Sequence, residues 1–457
     1  MFQSARVKLD FKYLYWASVF ALLLFLRASH YLDSDEGVIL EGAWNLINGK
    51  RLYFDFFEFI PPGGFYAVFW IWKIFGVNYS AAKLAGIITV FLSSVGVYKI
   101  SRHIVKSKFA YISSFAFAIS SVFWPIINHN TFNILFVVWA VYFFLEGLSG
   151  YEKKYFVFGG LLAGASILFL QQRGIALLAA VSLFFAVLFF KEKKYLILKS
   201  AFCYLLSALS VLSLLAIKWP LQSLYQNLIL FPLFNYGAVN KIPFDLFFVY
   251  AFALSLTALL LRRQKNKKVW GLVFIQFFLL LSAVTRPDIH HISLVIFPLY
   301  PLFFLAYDSS KRKFRASAYS FLGAVIMAPI LASAFTYIYV FPPFYSIKNS
   351  AALSYVQKNC AESDYIYAGP FMPGMYFEAK KLNPAPYHSV LMLGGRTEKL
   401  REVKEALRKA RPVCAALNYE MVKKFNYNKN NPVDNYISDN YKLVFRQNNT
   451  LIYKISK

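Results

Sequence analysis

Charged residues are scarce in this chain, and acidic residues are the scarcest. Aspartate and glutamate number only 22, against 49 lysines and arginines, and all four together amount to 16% of the sequence, whereas hydrophobic residues amount to 58%. An ordinary soluble domain has about 25% charged and about 45–50% apolar residues. A single water-soluble core stops growing at about 250–300 residues, so 457 residues of this composition exclude one soluble globular domain. The chain is predicted to be a polytopic membrane protein.

Cysteine is nearly absent, with three residues in the whole chain. No CxxC motif and no His/Cys group with zinc-ligand spacing occurs, which argues against the usual zinc and dithiol motifs. Cys203 lies in an apolar run and is expected to serve packing alone. Cys360 and Cys414 lie in a region predicted to be outside the membrane, where a disulfide is allowed. The sequence is compatible with a bridge between them or with two free thiols.

The long apolar runs are continuous rather than alternating, which favours helices over a barrel. Most have roughly the 17–25 residues that a membrane-spanning helix needs. They predict eleven spans, at residues 13–27, 84–100, 109–125, 132–149, 155–170, 175–190, 200–217, 244–261, 269–284, 291–307 and 318–340. The expected fold is therefore an α-helical polytopic membrane protein with about eleven transmembrane helices.

The formal net charge of +27 is distributed in a way that argues against nucleic acid as a partner. Basic residues stand in short clusters between the apolar runs, and alternate segments carry most of them. Positively charged loops stay in the cytoplasm, so the N-terminus is predicted to be cytoplasmic. Eleven spans then place the C-terminal region outside, in a multi-pass protein expected in the plasma membrane.

Two domains are predicted: a transmembrane domain at residues 1–341 and a small external α/β domain at residues 342–457. Residues 28–83 are expected to form the first external loop and residues 218–243 a second one. In the external domain, Glu398–Ala410 has the apolar spacing of an amphipathic helix. The expected strands are Tyr365–Ala368, Val413–Leu417, Tyr441–Phe445 and Leu451–Ile455.

Acidic residues concentrate in the first external loop. Six stand close together just past a predicted membrane boundary, and they are Asp33, Asp35, Glu36, Glu41, Asp55 and Glu58. Carboxylates near lipid are costly unless they face a water-filled cavity or bind something. They suit a general base that takes a proton from a hydroxyl, or the oxygen ligands of a divalent cation. The alternative is an ordinary solvated loop in which Ser34 or Asp35 caps a helix.

The motifs of this loop follow an order that resembles the GT-C membrane glycosyltransferases. The acidic pair Asp35-Glu36 is followed by Gly49-Lys50-Arg51-Leu52-Tyr53-Phe54-Asp55, then by Pro61-Pro62-Gly63 and Phe75-Gly76. More narrowly, the chain is similar to the protein O-mannosyltransferases and lipid A aminoarabinose transferases. The resemblance implies a GT-C fold and an inverting glycosyltransferase, which moves a sugar from a polyprenyl-phosphate carrier to an acceptor hydroxyl on the outer face.

The resemblance also assigns roles to single residues. The expected catalytic residues are Asp35 as general base, Glu36 and Asp55. The residues expected at the acceptor or the sugar are Tyr53, Glu58 and His129. Relatives often carry an acidic residue where this chain has the segment Asn128–Asn133, and this departure leaves the acceptor side open.

A departing phosphate needs positive charge beside it, and arginine and lysine suit phosphate oxygens. External cations are few, and the candidates are Arg173, Lys218, Lys241 and Arg286, with His290 close to the last of them. We expect Arg173, Arg286 and His290 to bind the donor phosphate. The alternatives are that Arg173 is an interfacial snorkelling residue and that Arg286 pairs with Asp288 as a loop staple.

The expected partners are a polyprenyl-phosphate-linked sugar, a lipid, glycan or protein acceptor, and membrane lipids, with no nucleic acid. No cofactor is assigned, although the acids are compatible with a divalent cation. Two other classes stay open. A transporter or lipid flippase would carry polar residues and broken helices at mid-membrane. An inactive cell-envelope assembly scaffold would tolerate replacement of Asp35.

Overall fold

The structure, a computed structural model, describes residues 11–28, 34–236, 243–308, 316–339, 350–393, 396–420, 422 and 427–456. Helices dominate the chain up to residue 339. They are α1 (Phe11–Arg27), α2 (Ser34–Ile47), α3 (Gly63–Phe75), α4 (Tyr79–Arg102), α5 (Ser107–Ser120), α6 (His129–Gly147), α7 (Lys153–Phe169), α8 (Gln171–Glu192), α9 (Tyr195–Lys218), α10 (Leu221–Tyr225), α11 (Asp245–Leu260), α12 (Lys267–Ser282), α13 (Ile289–Val295), α14 (Leu299–Asp308) and α15 (Ala316–Tyr339). Two π-helical turns, Gln226–Leu230 and Pro232–Tyr236, follow α10.

Each predicted span falls on a helix or on a pair of helices. Among the described residues, five helices are long and apolar enough to cross a membrane, and a sixth span results if the pair α13–α14 counts as one. The two helices of that pair meet at 62°, at a break that includes Pro298, whose missing N–H cannot continue a helical ladder. The predicted fold class is confirmed, whereas the count of eleven spans and their orientation stay predictions.

The third predicted span is wrong at its external end, because α5 ends at Ser120. Arg27, the last residue of α1, holds the chain beyond it. The buried Arg27 guanidinium donates to the carbonyl oxygen of Ser121 at 2.5 Å and to that of Ile126 at 2.8 Å. This side chain fixes the connection between α5 and α6 at the end of the helix bundle where α2 begins.

Glycines allow α7 and α9 to approach each other closely. A Cβ on Gly164 would lie 2.6 Å from the carbonyl oxygen of Ala208, and one on Gly160 would collide with the backbone of Tyr204. Small residues spaced four apart are typical of packed membrane helices, where association depends on close van der Waals contact. The spacing therefore brings the backbones of these two helices close together.

The predicted first external loop is partly helical, since it contains α2 and α3. From Glu36 to Ala43 every residue of α2 is buried, although the helix includes two glutamates. A short helix buried on all sides must be covered by more than the membrane bundle. The covering element is the C-terminal domain that is predicted to lie outside the membrane, and the name external domain is kept for it below.

The external domain is built from helices on one small sheet, as predicted. Its elements are α16 (Ala351–Asn359), β1 (Tyr367–Gly369), α17 (Gly374–Ala379), a 3₁₀ turn (Leu391–Leu393), α18 (Thr397–Ala410), β2 (Cys414–Leu417), α19 (Pro432–Asn440), β3 (Tyr441–Gln447) and β4 (Thr450–Ile455). The strand order is β1-β2-β4-β3, with β1 and β2 parallel and the other pairs antiparallel. The predicted helix and the four predicted strands all occur. The proposed domain boundary at residue 342 lies outside the described residues.

Cys360 and Cys414 form a disulfide. It joins the end of α16 to the first residue of β2, and both cysteines are fully buried in the domain core. The sequence left the pairing open because these residues stand 54 positions apart. The bridge is consistent with the predicted external location of this domain.

The external domain packs directly on the first external segment. The ring of Trp72 stacks on Phe377 of α17 with centroids 4.7 Å apart, and Trp44 Nε1 donates to the carbonyl oxygen of Lys381 at 2.9 Å. A Cβ on Gly37 would collide with the backbone of Gly374. The two parts therefore share one continuous hydrophobic core, and α2 lies between the membrane helices and the domain.

Candidate active site

Glu36 is a fully buried carboxylate in the first turn of α2. Its Oε1 accepts hydrogen bonds from Lys83 Nζ at 3.0 Å and from the backbone N–H of Ile127 at 2.9 Å. Its Oε2 accepts from the Tyr79 hydroxyl at 2.9 Å. Both oxygens are occupied, so the structure favours a positioning role for Glu36 over the predicted catalytic one. This ion pair ties α2 to α4 and to the segment that precedes α6.

Asp35 precedes Glu36 and is the more accessible member of the acidic pair. Its side chain is partly exposed, whereas Glu36 is buried. Successive residues of a helix point about 100° apart, so the two carboxylates face different surroundings. Asp35 interacts electrostatically with His388 of the external domain. Its placement is compatible with the predicted role of general base.

Asp55 lies in an exposed turn, where it pairs with Arg51. The Arg51 guanidinium contacts both carboxylate oxygens at 3.0 Å, and the Arg51 backbone N–H donates to Oδ2 at 2.7 Å. These bonds lower the pKa of Asp55. The geometry is that of an exposed turn staple, and the catalytic role of Asp55 stays a prediction.

Tyr53 also serves this turn. Its φ of +67° is unusual for a residue with a side chain, and its hydroxyl donates to the carbonyl oxygen of Ile60 at 2.7 Å. The ring packs edge-on against Trp219, with centroids 5.6 Å apart. Tyr53 is buried and its hydroxyl is used, so the structure favours a role in closing residues 53–60 over contact with a sugar.

Glu58 forms a buried group with Glu41 and His388, which the sequence did not predict and which we call the acidic cluster. Glu41 and Glu58 are each 2% exposed, and His388 Nδ1 lies 3.0 Å from Glu58 Oε1. Glu41 Oε1 accepts a hydrogen bond from Asn383 Nδ2 at 3.2 Å. Burial raises the pKa of Glu41 to about 7, against the opposing effects of His388 and the Asn383 hydrogen bond. This acidic cluster adjoins Asp35 at the face between α2 and the external domain.

The predicted phosphate-binding residues come together at the starts of α6, α8 and α13. His129 begins α6, and electrostatic interactions link it to His291, Arg173 and Arg286. His290 interacts with the same two arginines. We call His129, Arg173, Arg286, His290 and His291 the basic cluster. His129, originally expected at the acceptor or sugar, therefore lies with the phosphate candidates.

Two side chains of the basic cluster have polar atoms available to a ligand. Arg173 is 2% exposed, and its NH1 has no hydrogen-bond partner within the described part of the chain. His290 Nε2 is likewise without a partner among those residues, and the ring lies against Trp124, with centroids 6.2 Å apart. A snorkelling arginine would reach the surface, whereas Arg173 points into protein.

Asp288 organises the edge of the basic cluster. It pairs with Arg286 at 3.0 Å and with His291 at 2.7 Å, and it accepts the backbone N–H of His291 as the N-cap of α13. The staple between Arg286 and Asp288 that the sequence left open therefore exists. It leaves the cluster with more cationic groups than anionic ones.

Glu36 ties the start of α2 to the segment between α5 and α6, beside the basic cluster. Glu36 binds the backbone of Ile127, two residues before His129. A Cβ on Gly64, at the start of α3, would lie 3.0 Å from Ile39 Cδ1 and 3.7 Å from His129 Cα. Asn128 caps α6 by accepting the N–H of Thr131 at 3.0 Å. This capping role accounts for a polar residue at this position, where relatives often carry an acidic one. The starts of four helices thus enclose one polar region.

Other candidates lie elsewhere. Lys218 Nζ stands 4.0 Å from the centre of the Tyr66 ring, outside the basic cluster. Asp33 and Lys241 lie outside the described residues. Within the described ranges, no group of three or more His, Cys, Asp or Glu side chains is placed to hold a metal ion.

The fold is that of solved GT-C membrane proteins. The structure of ArnT from Cupriavidus metallidurans in the apo state matches with a TM-score of 0.63 at 12% identity, over 97% of each chain, and the structure of the same protein bound to undecaprenyl phosphate matches with a TM-score of 0.61. The Archaeoglobus fulgidus oligosaccharyltransferase AglB, in complex with an inhibitory peptide and a dolichol-phosphate, matches with a TM-score of 0.54 at 13% identity, over 98% of this chain and 75% of AglB. The expected GT-C fold is confirmed.

A family model matches part of the chain. The family model described as dolichyl-phosphate-mannose-protein mannosyltransferase matches residues 60–219, which run from the start of α3 to the end of α9. A search of curated protein sequences finds no significant match. The family match includes His129 and Arg173 and excludes Asp35, Arg286 and the external domain.

Proposed function

We propose that this protein is a membrane glycosyltransferase that moves a sugar from a polyprenyl-phosphate carrier to an acceptor hydroxyl at the outer face of the membrane. The observation that carries the proposal is the meeting of a cationic cluster and a partly exposed carboxylate at the same end of the helix bundle. A phosphate-linked donor needs the cationic cluster, and an acceptor hydroxyl needs the carboxylate. The fold shared with ArnT and AglB, whose structures contain undecaprenyl phosphate and dolichol-phosphate, supports this assignment.

The reaction requires one proton transfer and one displacement. Asp35 takes the proton of the acceptor hydroxyl as general base. The acceptor oxygen forms a bond to the anomeric carbon of the sugar while the bond from that carbon to the phosphate oxygen breaks. The electron pair of the broken bond stays on the phosphate, so polyprenyl phosphate leaves with an added negative charge and the anomeric carbon is inverted.

Stabilising that charge is the task of the basic cluster. Arg173 is buried and its NH1 has no hydrogen-bond partner among the described residues; buried donors act strongly on a developing charge because little water screens them. Arg286 adds a second positive charge, and His290 presents an Nε2 that has no hydrogen-bond partner among the described residues. His129 and Arg173 lie in the first turns of α6 and α8, and helix N-termini favour phosphate. A divalent cation at the acids stays a proposal, to be tested by adding EDTA.

Asp35 and the basic cluster can be tested by substitution in the full-length protein. Purified protein is incubated with a panel of polyprenyl-phosphate sugars and candidate acceptors, and released polyprenyl phosphate is measured. We expect Asp35→Asn to lower the rate by about 10²–10⁴-fold, as loss of a general base does, with donor binding retained. Arg173→Gln is expected to weaken binding of polyprenyl phosphate itself.

Asp245→Asn is the matched control for Asp35→Asn. Asp245 is an exposed acid at the start of α11, and its substitution should leave the rate unchanged. Full activity of Asp35→Asn would contradict the proposal and favour the scaffold. Release of no polyprenyl phosphate from any donor, together with movement of a lipid-linked sugar across vesicles, would favour the transporter or flippase, for which the bend between α13 and α14 is the one supporting feature.

The proposed orientation follows from the charge distribution. The N-terminus is cytoplasmic, and the external domain lies on the outer face together with Asp35 and the basic cluster. A reporter that is active only in the cytoplasm, fused to the C-terminus, should be silent. An active reporter would separate the external domain from the proposed active face.

A further inference from the structure

An open groove of about 670 Å³ lies on the external domain between α18 and α19. This volume is within the range of about 300–1,000 Å³ that small-molecule sites have in proteins. Arg401, Lys404 and Glu405 of α18 form one wall, and side chains within residues 430–440 form the other. The lining residues are separate from the acidic and basic clusters, so the proposed reaction gives this groove no role.

The groove is built on a fixed base. Val403 of α18 and Val433 and Ile437 of α19 are buried in one core. Asn431, which lines the groove, caps α19 by accepting the backbone N–H of Val433 at 2.9 Å and that of Asp434 at 3.1 Å. The shared core and the cap hold the two walls in place, so binding does not have to order them.

The lining of the groove is rich in amide side chains. It contains four asparagines, of which Asn435 donates from Nδ2 to Asn430 Oδ1 at 3.2 Å and Asn440 donates from Nδ2 to the carbonyl oxygen of Tyr436 at 2.8 Å. An amide side chain offers two donors and an acceptor oxygen, and a hydroxyl group both donates and accepts. Most ligand sites are lined mainly by apolar side chains, whereas this set suits a ligand that is rich in hydroxyl groups.

The charges of the groove balance. Arg401 and Lys404 are positive, and Glu405 and Asp439 are negative. A phosphate site gathers cationic donors, since charge-assisted hydrogen bonds hold the anion, and carboxylates in the lining would repel it. The partly exposed ring of Tyr436 adds an apolar face. A neutral ligand with many hydroxyls and some C–H surface fits these groups, and an oligosaccharide has this chemistry.

The wall formed by α18 is joined to the first external segment. Tyr387 packs against Phe57 with ring centroids 5.5 Å apart, and its hydroxyl donates to Glu402 Oε2 of α18 at 2.9 Å. Phe57 directly precedes Glu58 of the acidic cluster. A ligand in the groove is therefore held in a fixed position relative to that cluster.

We propose that this groove binds a neutral oligosaccharide, and that the acceptor of the transfer reaction is a glycan that the external domain holds there. The second half of the inference rests on the proposed transferase function, whereas the first half does not. The groove binds sugar units remote from the reacting hydroxyl. It raises the affinity for the acceptor and takes no part in the displacement.

Binding of neutral tetrasaccharides to the full-length protein tests the groove. The protein is placed in lipid nanodiscs free of sugar-based detergent, and mannotetraose, maltotetraose, cellotetraose and chitotetraose are tested by saturation-transfer difference NMR. We expect at least one to bind, with an affinity that is unchanged when NaCl is raised from about 0.05 M to about 0.5 M, because salt screens only charged ligands.

Substitutions at Asn435, an exposed residue of α19, locate the binding. Asn435→Leu should weaken it about 3–10-fold, as the loss of one hydrogen-bonding group does, and Asn435→Trp should abolish it by filling the groove. Asn48→Leu and Asn48→Trp are the matched controls. Asn48 is an exposed asparagine outside the groove, whose Nδ2 donates to the carbonyl oxygen of Trp44 at 2.8 Å. The unfolding midpoints of all four variants show whether they fold.

Failure of all four tetrasaccharides to bind, or equal binding by Asn435→Trp and wild type, would overturn the inference. Binding of inorganic phosphate that Arg401→Gln removes would do so as well, because it would assign the groove to an anion. In the transfer assay with a glycan acceptor, Asn435→Leu should raise KM for the acceptor and leave kcat and the donor KM unchanged; an unchanged acceptor KM would refute the acceptor role. Tetrasaccharide binding without transfer from any donor would contradict the proposed function alone, and transfer without tetrasaccharide binding would contradict the groove alone.

Discussion

Glu41→Gln should stabilise the protein at alkaline pH and change little at acidic pH. Glu41 is 2% exposed, its Oε1 accepts from Asn383, and its Oε2 has no partner among the described residues. A protonated glutamate and a glutamine have nearly the same shape and both keep a carbonyl oxygen for Asn383. The substitution therefore removes only the ability to ionise.

The magnitude follows from linkage between pKa and stability. Burial raises the pKa of Glu41 from 4.5 to about 7 in the folded protein. A carboxyl with a raised folded-state pKa contributes stability that is fully present below the unfolded pKa and is lost as pH rises through the folded pKa. At about 1.4 kcal/mol per pKa unit, this shift corresponds to about 3 kcal/mol lost between pH 4.5 and somewhat above pH 7.

Thermal unfolding of the detergent-solubilised protein measures the effect. The unfolding midpoint of the wild type should fall between pH 5 and pH 8, and that of Glu41→Gln should fall less, so that the variant is the more stable protein at pH 8. The raised pKa of His388 acts in the same direction and persists in the variant. Glu398→Gln, at an exposed position on α18, is the control and should track the wild type. Parallel curves for Glu41→Gln and wild type would refute the reasoning.

Three further predictions follow from single contacts. Lys83→Met leaves the buried carboxylate of Glu36 without its cation, so we expect a loss of about 3–5 kcal/mol seen as a lower unfolding midpoint, with partial recovery in the double variant with Glu36→Gln. Asp55→Asn and Arg51→Gln should both leave sugar transfer close to the wild-type rate, because exposed ion pairs contribute little; inactivity of Asp55→Asn alone would restore its catalytic assignment. Gly164→Leu should lower the yield of folded protein, since its side chain would separate α7 from α9, whereas Gly150→Leu, in an open turn, should not.

The helices were predictable because lipid imposes a simple pattern on the sequence. Each span needs a long apolar run, and each predicted run does fall on helix. The prediction fails at the end of α5, where a side chain from another helix binds the backbone carbonyl oxygens. Arg27 ends α5 early through Ser121 and Ile126, and no local pattern in the third run announces a partner nearly a hundred residues away.

The basic cluster was predictable for a related reason. Positive charge is rare on the predicted outer side, so each arginine there was a candidate, and Arg173 and Arg286 do interact with the same histidines. The acidic cluster was not predictable, because its members are ordinary in isolation. His388 lies in a different domain from Glu41 and Glu58, and a single histidine in a polar segment carries no signal. A residue type that is rare in a region can be singled out from the sequence, whereas a common type is recognised only from its neighbours in the structure.

The adjacent acids Asp35 and Glu36 show where motif resemblance stops being sufficient. The motif treats them as one catalytic pair, yet the helix directs them to different partners. Glu36 faces Lys83, Tyr79 and Ile127 inside the protein, where losing its charge would disturb the fold. Asp35 remains partly exposed. Substitution of either residue would abolish transfer in an activity assay alone. Stability measurements distinguish the two roles. Removing the charge of Glu36 takes the carboxylate away from the buried Lys83 and should destabilise the fold, whereas removing the charge of the partly exposed Asp35 should change stability little.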